Sequence, residues 1–358
     1  MQPQIGAEEM RPDRTIMPVQ EPDIRNCNFD EVALGFTNGL AQIEASRCLD
    51  CKNPRCVPAC PVNIDIPGFI KDIKNEDIEK AYYTIAKSNI LPAICGRVCP
   101  QEKQCEGACI LGIKGESVSI GALERFVGDY ALKNALTIDE EIIDNNIKVA
   151  IVGSGPAGIS CAATLRRKGY SVDVFEALHE FGGVLKYGIP DFRLPKDIVD
   201  KEIANAINLG VRFHKNIIIG KSITIDQLLH EEGYKSIFLG SGAGLPKALG
   251  IPGENLTGIY FANEFLTRVN LMKANRFPET PTPVKIGDNV AVVGGGNVAM
   301  DAARTAKRLG ANNVFILYRR DMEALPARLE EVHHAIEEGI DFRLLLNPVE
   351  LIGENYKV

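Results

Sequence analysis

The spacing of apolar positions changes period several times along the chain, and each change marks an expected element. Residues 148–152, KVAIV, form a short continuous apolar run, and 171–175, SVDVF, read as a second strand beyond a helix-forming stretch. Residues 289–320 repeat that order, ending in a strand over 314–317. Between the two repeats the pattern predicts a helix over 196–209, a strand-like stretch over 211–219 and a buried strand over 236–239. Upstream the spacing is helical over 29–45, 66–73, 78–88 and 117–132, with no alternation, so this part is expected to be mostly helical. Residues 1–25 carry four prolines and several charges and read as an extended arm. Residues 137–146 read as a polar connection.

Glycines punctuate both strand–helix–strand repeats in a pattern with chemical meaning. In the first, Gly153, Gly155 and Gly158 complete G-x-G-x-x-G, with Pro156 and Ala157 opening the helix. The first glycine permits the tight turn, the second lets the backbone approach a pyrophosphate, and the third lets helix and strand pack closely. Glu176, at the end of the second strand, is placed to accept a ribose hydroxyl. The loop LHEFGGVLKYGIPDFRLP follows, where Gly182, Gly183 and Gly188, with Leu185 among them, allow close approach to a flat ligand. In the second repeat Gly294, Gly296 and Ala299 spell G-x-G-x-x-A, and the strand ends in Tyr318, Arg319 and Arg320. A carboxylate there would repel a 2′-phosphate, whereas arginines pair with it, so this unit is expected to prefer NADPH to NADH.

Eight of the ten cysteines lie between residues 48 and 109, in two groups of four. Cys48, Cys51, Cys56 and Cys60 are followed by Pro61, and their spacing departs by two residues from the bacterial ferredoxin run. Cys95, Cys99, Cys105 and Cys109 form the second group. Iron–sulfur ligation is the leading reading and zinc the alternative, because C-x2-C is also half of a zinc knuckle. The 40 basic and 47 acidic residues give a net charge of −7 with no basic stripe, which argues against nucleic acid or an anionic membrane as partner. No apolar run approaches the roughly 20 residues that span a bilayer. The first residues lack a secretory pattern, so a cytoplasmic location with reduced thiols is expected.

Two nucleotide motifs and two cysteine groups together pose a chemical problem. NADPH gives up two electrons at once, and iron–sulfur clusters accept them singly. A flavin bridges the two regimes, so the acidic-ended first unit is assigned to FAD and the second to NADPH. Hydride transfer between stacked rings is positioning chemistry, and no catalytic acid–base residue is expected. His333 and His334 lie in the charged stretch EEVHHAIEEG and are expected to be solvated.

These motifs resemble the small (β) subunit of NADPH-dependent glutamate synthase and its relatives. The relatives are the N-terminal half of dihydropyrimidine dehydrogenase, the large subunit of the bifurcating ferredoxin:NADP oxidoreductase, and archaeal sulfide dehydrogenase. The resemblance runs from RCLDCKNPRCVPACPVNIDIPGFI through ICGRVCPQEKQCEGAC, VAIVGSGPAGISCA, GGVLKYGIPDFRLPK and VVGGGNVAMDAARTA to YRR. It implies an α/β chain in three parts: a helical double-cluster ferredoxin-like domain over 1–145, a Rossmann-like FAD domain over 146–260, and an inserted Rossmann-like NADPH domain over 261–358. By the same resemblance Cys48, Cys51, Cys56 and Cys109 hold one [4Fe-4S] cluster, and Cys60, Cys99, Cys105 and Glu124 hold the other. Counting cysteines alone selects Cys95 as the last ligand instead of Glu124. The family further places Arg193 near the flavin, and Gly295, Gly296, Asn297 and Val298 at the NADPH pyrophosphate.

The family pattern returns to the FAD domain through a motif like G-x-F-A-A-G-D, which this sequence lacks. The chain is therefore expected either to be a shortened form lacking the C-terminal return of the FAD domain or to receive that segment from elsewhere, and by itself to bind FAD weakly, if at all. The implied function is an electron-transfer subunit passing electrons from NADPH through FAD and two clusters to a larger catalytic subunit that makes glutamate from glutamine and 2-oxoglutarate. The alternatives are a bifurcating transhydrogenase subunit, a sulfide dehydrogenase subunit, or a truncated, non-catalytic scaffold that docks a partner.

Overall fold

The computed structural model describes residues 13–138 and 140–358. They divide into two compact units: residues up to Val19 with Ala33–Ile138, and Gln20–Val32 with the chain after Ile138. One helical turn, α1 (Pro22–Arg25), belongs to the second unit.

The first unit is helical, with α2 (Asn38–Ser46), the single turn α3 (Cys56–Ala59), α4 (Ile66–Lys74), α5 (Ile78–Ala86), α6 (Pro92–Val98) and α7 (Ile120–Lys133). Local chemistry starts several of these helices. The side chains of Thr37, Asp65 and Asp77 accept from the N–H groups of Leu40, Gly68 and Lys80 and so cap α2, α4 and α5. Phe69, Ile70 and Ile73 of α4, Ala81 and Ile85 of α5, and Leu123 and Val127 of α7 then meet in one buried core. Helices α6 and α7 approach backbone to backbone. A Cβ on Gly96 would stand 2.4 Å from Arg125 N, and one on Gly128 would stand 2.4 Å from Ala93 N. That reciprocal contact sets the distance between Cys95 on α6, with Cys99 just after it, and Glu124 on α7.

The second unit holds two parallel sheets. The first has the order β3-β2-β1-β4 and is built from β1 (Lys148–Val152), α8 (Pro156–Arg167), β2 (Ser171–Phe175), α9 (Val184–Tyr187), α10 (Lys196–Asn208), β3 (Arg212–His214), α11 (Ile225–His230) and β4 (Ser236–Leu239). The second has the order β5-β6-β7 and is built from α12 (Ala262–Asn270), β5 (Asn289–Val293), α13 (Asn297–Arg308), β6 (Asn313–Tyr318), α14 (Leu329–Glu337) and β7 (Asp341–Leu344). Parallel strands joined through helices make both sheets Rossmann-like. Around β1 and β2, Val149, Ile151, Val172 and Val174 fill one core, while Ala150 and Phe175 join another. A strand buried on both faces reads as a continuous apolar run, which is why KVAIV stood out.

Four expectations need correction. The helix read over 29–45 begins only at Asn38, because the backbone before it is committed elsewhere: Val32 N donates to Phe192 O and Leu34 N to Pro18 O. The strand read over 211–219 ends at His214, and Asn216 takes a left-handed backbone with φ of 60°. The strand at 236–239 forms but is not buried; it lies at the sheet edge with Leu239 62% exposed. His334 is buried, not solvated, and burial lowers its pKa. Of the expected N-terminal arm, residues 1–12 lie outside the described residues. From there on it is pinned: Arg14 pairs with Glu106 at 2.7 Å, Thr15 N donates to Glu44, and Arg25 is fully buried.

Candidate functional site

Cys48, Cys51, Cys56 and Cys109 line a single pocket in the first unit, closed by apolar residues that include Ile66, Ile70 and Ile120. They come from three places: the end of the α2 turn, the start of α3, and the loop before α7. Burial raises the Cys48 thiol, and burial with the nearby Cys48 and Cys109 sulfurs pushes Cys56 up to about 11. Four cysteine sulfurs on one apolar pocket are the donor set that a [4Fe-4S] cluster takes. The four-sulfur apolar pocket therefore fits a [4Fe-4S] group.

The second set gathers around the α6–α7 contact. Cys60, Cys105 and Glu124 are all buried. Burial raises the Cys105 thiol, and the charges of Glu106 and Glu124 and the Cys60 sulfur add to it. Cys95 joins them: its pKa is raised first by a hydrogen bond with Cys99, then by burial, then by Glu124. Both candidates for the fourth ligand, Cys95 and Glu124, therefore stand in the same group. Glu124 Oε1 accepts from Asn89 Nδ2 at 2.7 Å, and Asn89 carried no signal in the sequence.

In the first nucleotide loop each glycine has a distinct reason. Gly153 has φ of 97° and would place a Cβ 2.5 Å from Gly240 O; a Cβ on Gly158 would fall 1.9 Å from Gly153 O. Gly155, which caps α8, faces open space, with no atom within 4 Å of its Cβ position. A pyrophosphate fits that opening above the first N–H groups of α8, beside the exposed Pro156 and Ala157. Gly183 packs against the Gly155 backbone, its Cβ position 2.8 Å from Gly155 Cα, and Leu185 is buried. Glu176 is buried, with Oε2 accepting from Ser154 N at 3.0 Å and Ser154 Oγ at 2.5 Å, and Oε1 from Leu178 N at 2.9 Å. The loop itself thus holds the carboxylate in place, and a carboxylate has acceptor capacity beyond these three bonds.

In the second loop Gly294 has φ of 143°, and a Cβ on Gly295 would strike the Tyr318 ring at 2.8 Å. Gly296 caps α13 in open surroundings, Val298 is exposed, and Asn297 Oδ1 accepts from Arg328 N at 2.9 Å. Arg319 and Arg320 follow β6 on the surface, and neither side chain has a hydrogen-bond or ion-pair partner among the described residues.

Arg193 sits in a buried ion cluster that sequence reasoning missed. Its Nη1 contacts Asp301 at 2.7 Å and its Nε lies 3.1 Å from Glu331. Glu338 binds Arg25 at 2.9 Å, Arg304 at 2.7 Å and Arg308 at 2.7 Å, and Arg304 also pairs with Glu331. The Arg304 and Arg308 guanidinium groups stand over the Phe192 ring at 4.8 and 4.1 Å. Burial would raise the Glu331 and Glu338 carboxyls, but the surrounding arginines hold both at about 2. At Asp301 burial outweighs Arg193 and the pKa rises. The cluster joins α1, the FRLP loop, α13 and α14, and so braces the helix that follows the second glycine loop.

Comparison with known proteins finds two family models. Residues 25–136 match the dihydropyrimidine dehydrogenase domain II, 4Fe-4S cluster family, and residues 147–358 match the pyridine nucleotide-disulphide oxidoreductase family. Among curated proteins, the putative oxidoreductase AegA of Escherichia coli K12 is 39% identical over 92% of this chain and 51% of its own length. The glutamate synthase [NADPH] small chain of Escherichia coli K12 is 38% identical over 95% of this chain and 73% of its own. The NAD-dependent dihydropyrimidine dehydrogenase subunit PreT of Escherichia coli O157:H7 is 36% identical over 91% and 76%. This chain thus spans about half the length of AegA and about three quarters of the other two.

Proposed function

The chain belongs to the family of the glutamate synthase small chain and PreT, and on that footing we propose that it delivers electrons from NADPH to a larger subunit that makes glutamate from glutamine and 2-oxoglutarate. At the coarser level it is an NADPH-dependent electron-transfer oxidoreductase subunit that works with FAD and [4Fe-4S] clusters. When bound, the flavin takes electrons in pairs and releases them singly. No helix among the described residues is long and apolar enough to cross a membrane.

The residues divide the work. Gly153, Gly155 and Gly158 shape the turn under the FAD pyrophosphate, Glu176 orients the ribose, and the Gly183 loop packs against the turn. Gly294, Gly295, Gly296, Asn297 and Val298 do the same for NADPH. Cys48, Cys51, Cys56 and Cys109 would hold one cluster, and Cys60, Cys99, Cys105 and Glu124 the other. In this reading Arg193 acts through the helix it braces. The domain limits 1–145, 146–260 and 261–358 are part of the same proposal.

The observation that carries the NADPH-linked reading over a PreT-like NAD-linked one is the exposed, unpaired Arg319–Arg320 step at the end of β6. Replacing both by serine is expected to raise KM for NADPH roughly ten- to a hundredfold, the loss of about 1.5–3 kcal/mol of charge-assisted hydrogen bonding. KM for NADH should stay unchanged in the same dye-reduction assay. Equal KM values for the two nucleotides before and after the change would assign the arginines to a solvated edge. For the reaction as a whole, the chain is purified anaerobically, expecting about eight irons and eight sulfides, and mixed with a glutamate synthase large subunit. NADPH-driven glutamate formation supports the proposal. A preference for NADH, or dye reduction without glutamate, moves the chain towards the PreT type or another acceptor.

A further inference from the structure

We propose that Asn89 is a positioning residue that selects Glu124 over Cys95 as the fourth ligand of the second cluster. The inference rests on the ligand set proposed above and goes beyond it by naming what decides between oxygen and sulfur. Asn89 follows α5 and is 7% exposed. Leu91 N donates to its Oδ1 at 3.0 Å, which fixes which way the amide faces. Nδ2 must then point to the other side, where it donates to Glu124 Oε1 at 2.7 Å. Cys95 Sγ contacts the same Oδ1 at 3.8 Å, within the range for sulfur. One buried amide therefore touches both competing ligands, and it touches them with opposite ends.

The two ends have different effects. A donor on one carboxylate oxygen fixes the orientation of the carboxylate and leaves its other lone pairs free for a metal bond. An acceptor facing a thiol offers its S–H a partner on the amide side, in competition with Cys99. The close α6–α7 packing through Gly96 and Gly128 brings Cys95 and Glu124 onto neighbouring backbones, so small reorientations decide which reaches the iron. Outer-shell partners of this kind typically change metal affinity ten- to a hundredfold when removed.

The test uses the full chain purified anaerobically, with iron content, the electron paramagnetic resonance spectrum and the midpoint potential of each cluster as readouts. Asn89→Ala is expected to shift the signal and potential of the second cluster, leave the first unchanged, and speed iron loss to a chelator roughly ten- to a hundredfold. Cys95→Ala alone should change neither cluster. The double variant should lose the second cluster, because Glu124 is then no longer held and the Cys95 sulfur is not there to replace it, and the unchanged first-cluster signal reports intact folding. If Asn89→Ala leaves both signals and potentials unchanged while Glu124→Ala shifts the second, the role of Asn89 is overturned and the ligand set stands. If Glu124→Ala changes nothing and Cys95→Ala removes the second cluster, the ligand set itself is wrong.

Discussion

Glu338→Ala is expected to destabilise the nucleotide-binding unit by about 3–5 kcal/mol, the usual cost of leaving a buried charge without its partner. Three guanidinium groups depend on this one carboxylate, those of Arg25, Arg304 and Arg308, and all three residues are buried. Its removal leaves Arg304 with Glu331, Arg25 with the half-exposed Glu337, and Arg308 without a carboxylate. For a unit of this size the loss corresponds to roughly 6–20 °C in Tm. Glu337→Ala is the control: its side chain is 50% exposed, so it should cost about 1 kcal/mol or less. Equal Tm shifts for the two variants would refute the ranking. The same network predicts the response to acid. Folding lowers the Glu331 and Glu338 carboxyls to about 2, so their stabilisation is complete above the unfolded value of about 4.3 and is lost as pH falls towards 2. Glu338→Gln should remove much of that slope, which urea unfolding at pH 3, 5 and 7 would measure.

Gly96→Ala carries the second large effect, on the cluster-binding unit. The added methyl would stand 2.4 Å from Arg125 N and 2.6 Å from Arg125 Cα, both backbone-borne and unable to swing aside. Helices α6 and α7 must separate, at about 1–3 kcal/mol for overpacking. The functional loss should exceed the loss of stability, since Cys99, at the end of α6, moves with one helix and Glu124 with the other. Iron is expected to fall from about eight to about four per chain while the cluster at Cys48, Cys51, Cys56 and Cys109 remains. Gly128→Ala should behave alike, because its Cβ would meet Ala93 N at 2.4 Å. Gly39→Ala, whose Cβ meets nothing within 4 Å, should keep all the iron and gain a few tenths of a kcal/mol in helix α2. Full iron in Gly96→Ala would mean that the helices are not spaced by this contact.

The parts of this protein that were readable without coordinates are those whose physics is local. Strand β1 announced itself because burial on both faces forces a continuous apolar run, whereas β5, an edge strand with Val293 41% exposed, was legible from its apolar residues ahead of the second glycine loop. The glycines after both strands stood out because a tight turn at a helix N-terminus excludes a side chain. Helices α4, α5 and α7 were legible from their apolar stripes, and Arg319 and Arg320 from their place after β6. Cysteine density pointed to metal, although the partition of the cysteines came from family resemblance, and both Glu124 and Cys95 lie in the second group. What sequence left open depends on contacts between residues far apart in the chain. The bond from Val32 N to Phe192 O keeps 29–37 out of a helix, since a backbone donor spent on a distant partner is unavailable to the next turn. Arg25 and Glu338 are 313 residues apart and carry no periodic signal, yet a buried charge must find its opposite wherever the fold brings one. Asn89 likewise looks like any polar residue after a helix. Only the packing of α6 against α7 sets its amide between Glu124 and Cys95, because burial removes water and leaves those two side chains as its partners.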